Sequence, residues 1–277
     1  MGIGYITPDR GHYDYDMTPL PGLPGSYRGP AVDPSRPYGV CLGAAQTFGR
    51  FCEEPYPLLL GRELDLPMQN LGVGGVSARH FDRPQIVDFL NRAELIVLQV
   101  MAARSEGNSR FDNGDSGRLR GRRVSDGKSM RFEEFLDDLL RTEPPETVAA
   151  VVAETRANYL RNAVALLTKL RPPKVLLWLS AREPDYRIGF GSRGSVLGAF
   201  PQLVDAPMVE ALAAHCDAYV ACVSNAGLPQ PLWPATEPVL GTQLREGMLY
   251  NAYYPSPEIH REAAARLVPA CRELLRR

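Results

Sequence analysis

Four short stretches of this 277-residue chain carry the residues able to do chemistry. The first, residues 39–50 (GVCLGAAQTFGR), reads as a short buried strand that turns at Gly43 and opens a helix. Such a turn raises one side chain above the carboxyl end of a parallel sheet, where α/β folds place their ligands. The raised positions are Gly43, Ala44, Ala45 and Gln46. A methyl group cannot attack a carbonyl, so any reaction needs other side chains. The second stretch is the turn Gly72-Val73-Gly74-Gly75 with Ser77, Arg79 and His80 behind it. The third is Arg104, Ser105, Asn108, Ser109 and Arg110, and the fourth runs from Asn251 through Tyr254 to His260.

Each candidate has a functional and an ordinary reading. Arginine presents a planar fork of donors that suits carboxylate, sulfate or phosphate. Arg79 and Arg104 can therefore make the sheet-top crevice electropositive, with Asn108 and Ser109 adding polar contacts; otherwise they belong to a solvated loop. Ser77, Ser105 or Ser109 can act as a displaced nucleophile, or simply bond nearby backbone. His260 falls in the first turn of the final helix, where the helix dipole disfavours its charged form. It is a candidate base, as is His80, and the ordinary alternatives are a cap residue and a helix-entry residue.

Several functions find no residues to carry them. The glycine turn lacks the full spacing of a dinucleotide loop, and the following apolar run 98–101 lacks the acidic residue such a site needs. There is no Walker motif and no Cys/His cluster with metal spacing, so no cofactor or metal is expected. The net charge is −1, and basic and aromatic residues do not interleave, which argues against nucleic acid. No apolar run spans a bilayer and the start of the chain does not read as a signal peptide, so a cytoplasmic protein without membrane contacts is expected. The five cysteines are read as reduced structural thiols.

The elements around these stretches alternate in the manner of an α/β fold with a parallel sheet. Strands are expected at 39–42, 67–71, 95–101, 174–180 and 218–223, and helices at about 55–63, 84–92, 148–170, 206–214 and 257–275. Runs such as LIVLQVM and VLLWLS suit strands buried on both faces. In the longest helix Val148, Val152, Tyr159, Ala163, Leu166 and Leu170 form one core-facing stripe. Residues 1–37, rich in Pro, Gly, Tyr and Asp, are expected to form an irregular arm, with homo-oligomer contacts as one role. Two long loops are expected inside the domain 38–277, at 102–131 and 181–205. The first holds seven Arg and one Lys against four acidic residues.

With the strands placed, residues 38–271 resemble an SGNH (GDSL-type) hydrolase. Gly43-Ala44-Ala45-Gln46-Thr47-Phe48-Gly49 is similar to that family's first block, in which Gly-Asp-Ser supplies the nucleophile. Asn70-Leu71-Gly72-Val73-Gly74-Gly75 resembles the second block, whose last glycine gives an oxyanion-hole amide; Gly75 takes that place. Asn251-Ala252-Tyr253-Tyr254-Pro255-Ser256-Pro257 resembles the last block, Asp-x-x-His followed by Pro-Ser. The resemblance implies a three-layer α/β/α, flavodoxin-like fold with a five-stranded parallel sheet. It is closer still to an uncharacterised bacterial family of SGNH-like proteins, to which no activity is attached.

The departures bear directly on function. The nucleophile position is Ala45, the oxyanion-hole asparagine is replaced within Met101-Ala102-Ala103-Arg104, and the acid and base positions are Asn251 and Tyr254. A serine hydrolase needs a hydroxyl, a base and a group that orients the base. Standard serine esterase chemistry is therefore not expected. The first reading is a protein that binds a small anionic or carbohydrate-like ligand over the turns. The alternatives are a hydrolase or group transferase rebuilt around His260 or His80 with a displaced serine such as Ser105, and a structural or assembly protein.

Overall fold

Alternate residues of the sheet strands belong to two different cores. Val40, Leu42, Ile96, Leu98, Leu176 and Trp178 pack on one face, and Cys41, Leu95, Val97, Val175 and Leu177 pack on the other. Side chains of a strand point alternately to its two faces, so uninterrupted apolar runs require a helix layer on each side. The computed structural model, which describes Asp9 and residues 13–114, 117–232 and 250–277, supplies both layers.

The strands are β1 (Gly39–Gly43), β2 (Met68–Gly72), β3 (Leu95–Gln99), β4 (Lys174–Ser180) and β5 (Ala218–Val223). All are parallel, in the order β2-β1-β3-β4-β5, the flavodoxin-like arrangement expected. Strand order reverses between β1 and β3, which marks the crevice above their carboxyl ends as the ligand position of such a sheet.

Helices α1 (Ala45–Phe48), α2 (Tyr56–Leu64), α3 (Pro84–Leu90), α4 (Phe132–Thr142), α5 (Pro145–Lys169), α6 (Arg193–Leu197), α7 (Ala206–Ala213) and α8 (Pro257–Leu274) complete the domain. Helices α2 and α8 pack against each other and cover the Cys41 face through Tyr56, Leu60, Ala263, Leu267 and Cys271. The other face is covered by α3, α5 and α7, where α5 buries Val148, Val152, Tyr159, Ala163 and Leu166. Helix α8 starts on residue types that favour a helix N-terminus: Ser256 Oγ accepts from the Ile259 N–H at 3.2 Å and Pro257 occupies the first turn.

The expectation for 102–131 needs correction. This segment contains a three-stranded antiparallel sheet, Phe111–Asp112, Arg120–Arg123 and Ser129–Arg131, and leads directly into α4. Phe111, Phe132 and Phe135 form an aromatic cluster beneath it. Strands of two to four residues rich in Arg and Gly carry no apolar alternation, so pairing rather than pattern creates them. The loop at 181–205 likewise holds the short α6.

Residues 13–37 of the arm include a ribbon of Met17–Pro19 against Ser26–Arg28 and pack on the body of their own chain. Arg28, 2% exposed, donates from Nη1 to the carbonyl oxygens of Phe48 (2.9 Å) and Gly49 (2.7 Å), and from Nη2 to those of Cys52 (2.7 Å) and Glu53 (2.9 Å). A buried cation thereby satisfies the carbonyls that end α1. Asp9, fully buried, forms a two-pronged ion pair with Arg50 at 2.8 and 2.9 Å and accepts from Tyr15 Oη. Tyr5 and His12 lie outside the described residues. All five cysteines are free, and burial pushes the thiols of Cys41, Cys52, Cys216, Cys222 and Cys271 up. Among the described residues no helix is long and apolar enough to cross a membrane.

Candidate functional site

A crevice of about 250 Å³ opens above the carboxyl ends of β1, β2 and β3. Ala44, Ala45 and Gln46 of the β1 turn form its floor, and Gly74, Gly75 and Val76 of the β2 turn form one wall. Ala102, Arg104 and Ser105 follow β3, Arg118, Leu119 and Arg131 come from the antiparallel insertion, and Phe200, Tyr253 and Tyr254 close the mouth.

The floor is held by side-chain to backbone bonds. Gln99 Oε1 accepts from the Ala44 N–H at 2.9 Å and from Thr47 Oγ1 at 3.3 Å. Gly43 lies beneath this junction: a Cβ there would stand 2.3 Å from Thr47 Oγ1 and 2.6 Å from Gln99 Oε1. Gly43 thus serves close packing. Asn70 donates to the Thr47 carbonyl at 2.9 Å and accepts from the Gly72 N–H at 2.8 Å, tying the β2 turn to α1. Gly75 has φ +70°, the left-handed region that glycine enters without strain, and its bend brings the wall over Ala45.

The charge of the crevice comes from three guanidinium groups. Arg104 pairs with Glu133, Arg131 Nε lies 3.6 Å from the same carboxylate, and Arg118 has no ion-pair partner among the described residues. Glu133 thus sits beside two of the three cations, and a protein of net charge −1 carries a local positive surplus at this site. Arg104 Nη2 also donates to Tyr253 Oη at 3.4 Å.

Asn251 and Tyr254 have structural duties. Asn251, fully buried, accepts at Oδ1 from the N–H groups of Tyr253 (3.0 Å) and Tyr254 (2.8 Å), and donates from Nδ2 to the Tyr254 carbonyl (2.9 Å). Tyr254 Oη receives Arg50 Nη1 at 3.3 Å. The arm reaches the crevice wall through this contact, since Arg50 is also the partner of Asp9.

Of the residues singled out in the sequence, the crevice brings together Ala45, Gln46, Gly75, Arg104, Ser105 and Tyr254. Others require correction. His260 is fully buried behind α1, not in the crevice; its Nδ1 accepts from the Tyr56 N–H at 3.2 Å and its ring stacks on Tyr56. Burial, and then the nearby Arg28 cation, push its pKa down to about 3, so the ring is neutral. His80, 6% exposed, packs edge-on against Phe81 and does not line the crevice.

Arg79 and Asn108 line a separate polar cleft beside Glu106, on the α5 side. Asn108 Nδ2 donates to Thr155 Oγ1 at 2.9 Å, and Ser109 Oγ donates to Glu154 at 2.6 Å. The chain turns away from the sheet top after the 3-10 turn Ala103–Ser105, and these side chains turn with it. Arg118, Arg131 and Phe200 enter the crevice unannounced by the sequence, and Tyr253 was legible there only as part of the last block. The one signal for the two arginines was the excess of arginine in 102–131.

Comparison with known proteins places the chain in a family. Residues 4–112 and 126–275 match the family described as "Domain of unknown function (DUF6473)". The chain belongs to that family. No curated protein matches it. Solved structures similar to this DUF6473 protein include the lipase Lip_vut3 from a goat rumen metagenome (13% identity, TM-score 0.44, 85% of this chain and 97% of that one). Another is the acetyl xylan esterase Est2A of Butyrivibrio proteoclasticus (11%, 0.42, 90% and 66%). A third is a lipolytic protein of the G-D-S-L family from Desulfitobacterium hafniense DCB-2 (14%, 0.34, 84% and 99%). The five-stranded parallel sheet with helices on both faces, expected from the sequence, is the architecture observed.

Proposed function

We propose that this DUF6473 protein binds a small anionic, carbohydrate-like ligand in the crevice and does not perform serine-esterase chemistry. The reading is carried by the composition of the lining: three arginines converge on a floor of alanine methyls, and no histidine, aspartate or glutamate lines it among the described residues. A guanidinium offers paired donors to an anion and cannot accept a proton, so the site is suited to hold negative charge and unsuited to activate a hydroxyl. Support for a sugar-like shape comes from the mouth, where Phe200, Tyr253 and Tyr254 stand in successive edge-to-face contact at 6.3 and 5.0 Å. Aromatic faces of this kind offer apolar area with a polar tip. A rebuilt enzyme finds no support in its proposed bases, since both His260 and His80 lie elsewhere. Ser105 is in the lining without a base to serve it.

Titration calorimetry with sulfate, phosphate and glucuronate, alongside hydrolysis of p-nitrophenyl acetate, tests this reading. At least one anion should bind, Arg118→Gln should weaken it about tenfold, the worth of one charge-assisted hydrogen bond, and ester turnover should stay at background. Turnover on the order of 1 per second, a common enzymatic rate, would overturn it.

A further inference from the structure

The crevice has a second lobe. A cavity of about 110 Å³ adjoins it, and the two share Gln46, Phe200 and Tyr253 as walls. Beyond that shared wall the chemistry changes from cationic to apolar, with Leu179, Ala199, Leu228 and Ile259 as the lining. The hydroxyls in this lobe are already engaged: Ser180 Oγ donates to the Phe200 carbonyl at 2.6 Å and Ser224 Oγ accepts from the Ala226 N–H at 3.2 Å. The lobe is therefore a small apolar slot.

Gln46 stands at the junction. It is 2% exposed, and its Oε1 has no hydrogen-bond partner. A buried acceptor left unmatched is costly, and a ligand that brings a donor to it recovers that cost. The ligand that fits the three features in sequence has an anion for the arginines, an N–H or O–H for Gln46, and a compact apolar group for the slot.

Resting on the proposed anion-binding role of the crevice, we propose that its ligand is an N-acylated amino carboxylate. The carboxylate faces Arg104, Arg118 and Arg131, the amide N–H donates to Gln46 Oε1, and the acyl chain fills the lobe toward Leu228 and Ile259. A dry cavity of about 150 Å³ holds a benzene molecule. The lobe here accordingly admits an acyl group of about four carbons and excludes much longer ones. Both an acylated amino acid and an acylated amino-sugar acid present this chemistry.

The test is calorimetry on the intact protein with acetate, N-acetylglycine, N-butyrylglycine and O-butyrylglycolate, which replaces the amide N–H by an ester oxygen. N-butyrylglycine should bind about tenfold more tightly than N-acetylglycine, the worth of two buried methylenes. It should bind about tenfold more tightly than O-butyrylglycolate, the worth of one hydrogen bond to a buried acceptor. Ala199→Phe, an exposed position at the slot, should abolish the chain-length effect. N-acetylmuramate against muramate repeats the amide comparison on a sugar, and whichever acylated acid binds more tightly names the source.

Equal affinity for amide and ester, or for acetyl and butyryl, while acetate still binds would overturn this inference and leave the anion-binding role standing. No binding of acetate, sulfate, phosphate, glucuronate or any acylated acid would overturn both.

Discussion

Asn251 grips the main chain of Tyr254 from both sides, accepting from its N–H at 2.8 Å and donating to its carbonyl at 2.9 Å. The contact between the two positions shapes a turn and leaves the Tyr254 phenol to Arg50.

That relationship predicts the outcome of placing an acid at position 251. Asn251→Asp removes the Nδ2 donor and introduces a charge at a fully buried site. A loss of about 2–3 kcal/mol is expected from the broken bond and the desolvated carboxylate, read as a shift of the urea midpoint. A variant as stable as the parent would contradict the structural role assigned to Asn251.

Placing a hydroxyl at position 45 should be equally unproductive. Ala45→Ser places a hydroxyl on the crevice floor with no histidine or carboxylate in the lining among the described residues to accept its proton. Hydrolysis of p-nitrophenyl acetate by this variant should remain within about threefold of the parent, because an unassisted serine is a weak nucleophile. An increase of a hundredfold would show a base that the geometry does not contain.

The buried guanidinium of Arg28 should be among the most sensitive positions in the chain. Its four donations satisfy the carbonyls of Phe48 and Gly49 at the end of α1 and those of Cys52 and Glu53 just beyond it. Arg28→Met should cost about 3 kcal/mol or more, because the orphaned carbonyls stay buried. Arg28→Lys should recover little, since a point charge cannot reproduce the fork. Chemical denaturation of both variants measures this directly.

His260 makes stability depend on pH in a defined direction. Its pKa is lowered from 6.5 to about 3 in the folded protein, by burial first and by Arg28 second. Unfolding below pH 6.5 lets the ring take up a proton that the native state refuses. The contribution is therefore complete above pH 6.5 and is lost as pH falls toward 3, by up to about 1.4 kcal/mol per pH unit. His260→Gln should flatten this acid limb of the stability curve. Parallel acid limbs for parent and variant would mean that His260 is not held neutral.

The five parallel strands and their covering helices were legible in the sequence because their signals are local. Uninterrupted apolar runs such as residues 95–98 require burial on both faces, and three- and four-residue apolar steps require a helix with one buried side. The identities at Ala45, Asn251 and Tyr254 were equally plain. Tertiary structure alone decided where side chains point and which distant segments meet. His260 lies six positions beyond Tyr254, yet it belongs to the first turn of α8, whose packing against α2 seats it on Tyr56 and not in the crevice. Arg131 reaches the crevice because three short, polar strands pair with one another, and Arg118 because it bridges to Val76 of the β2 turn; such pairing leaves no periodic trace in the residues that make it.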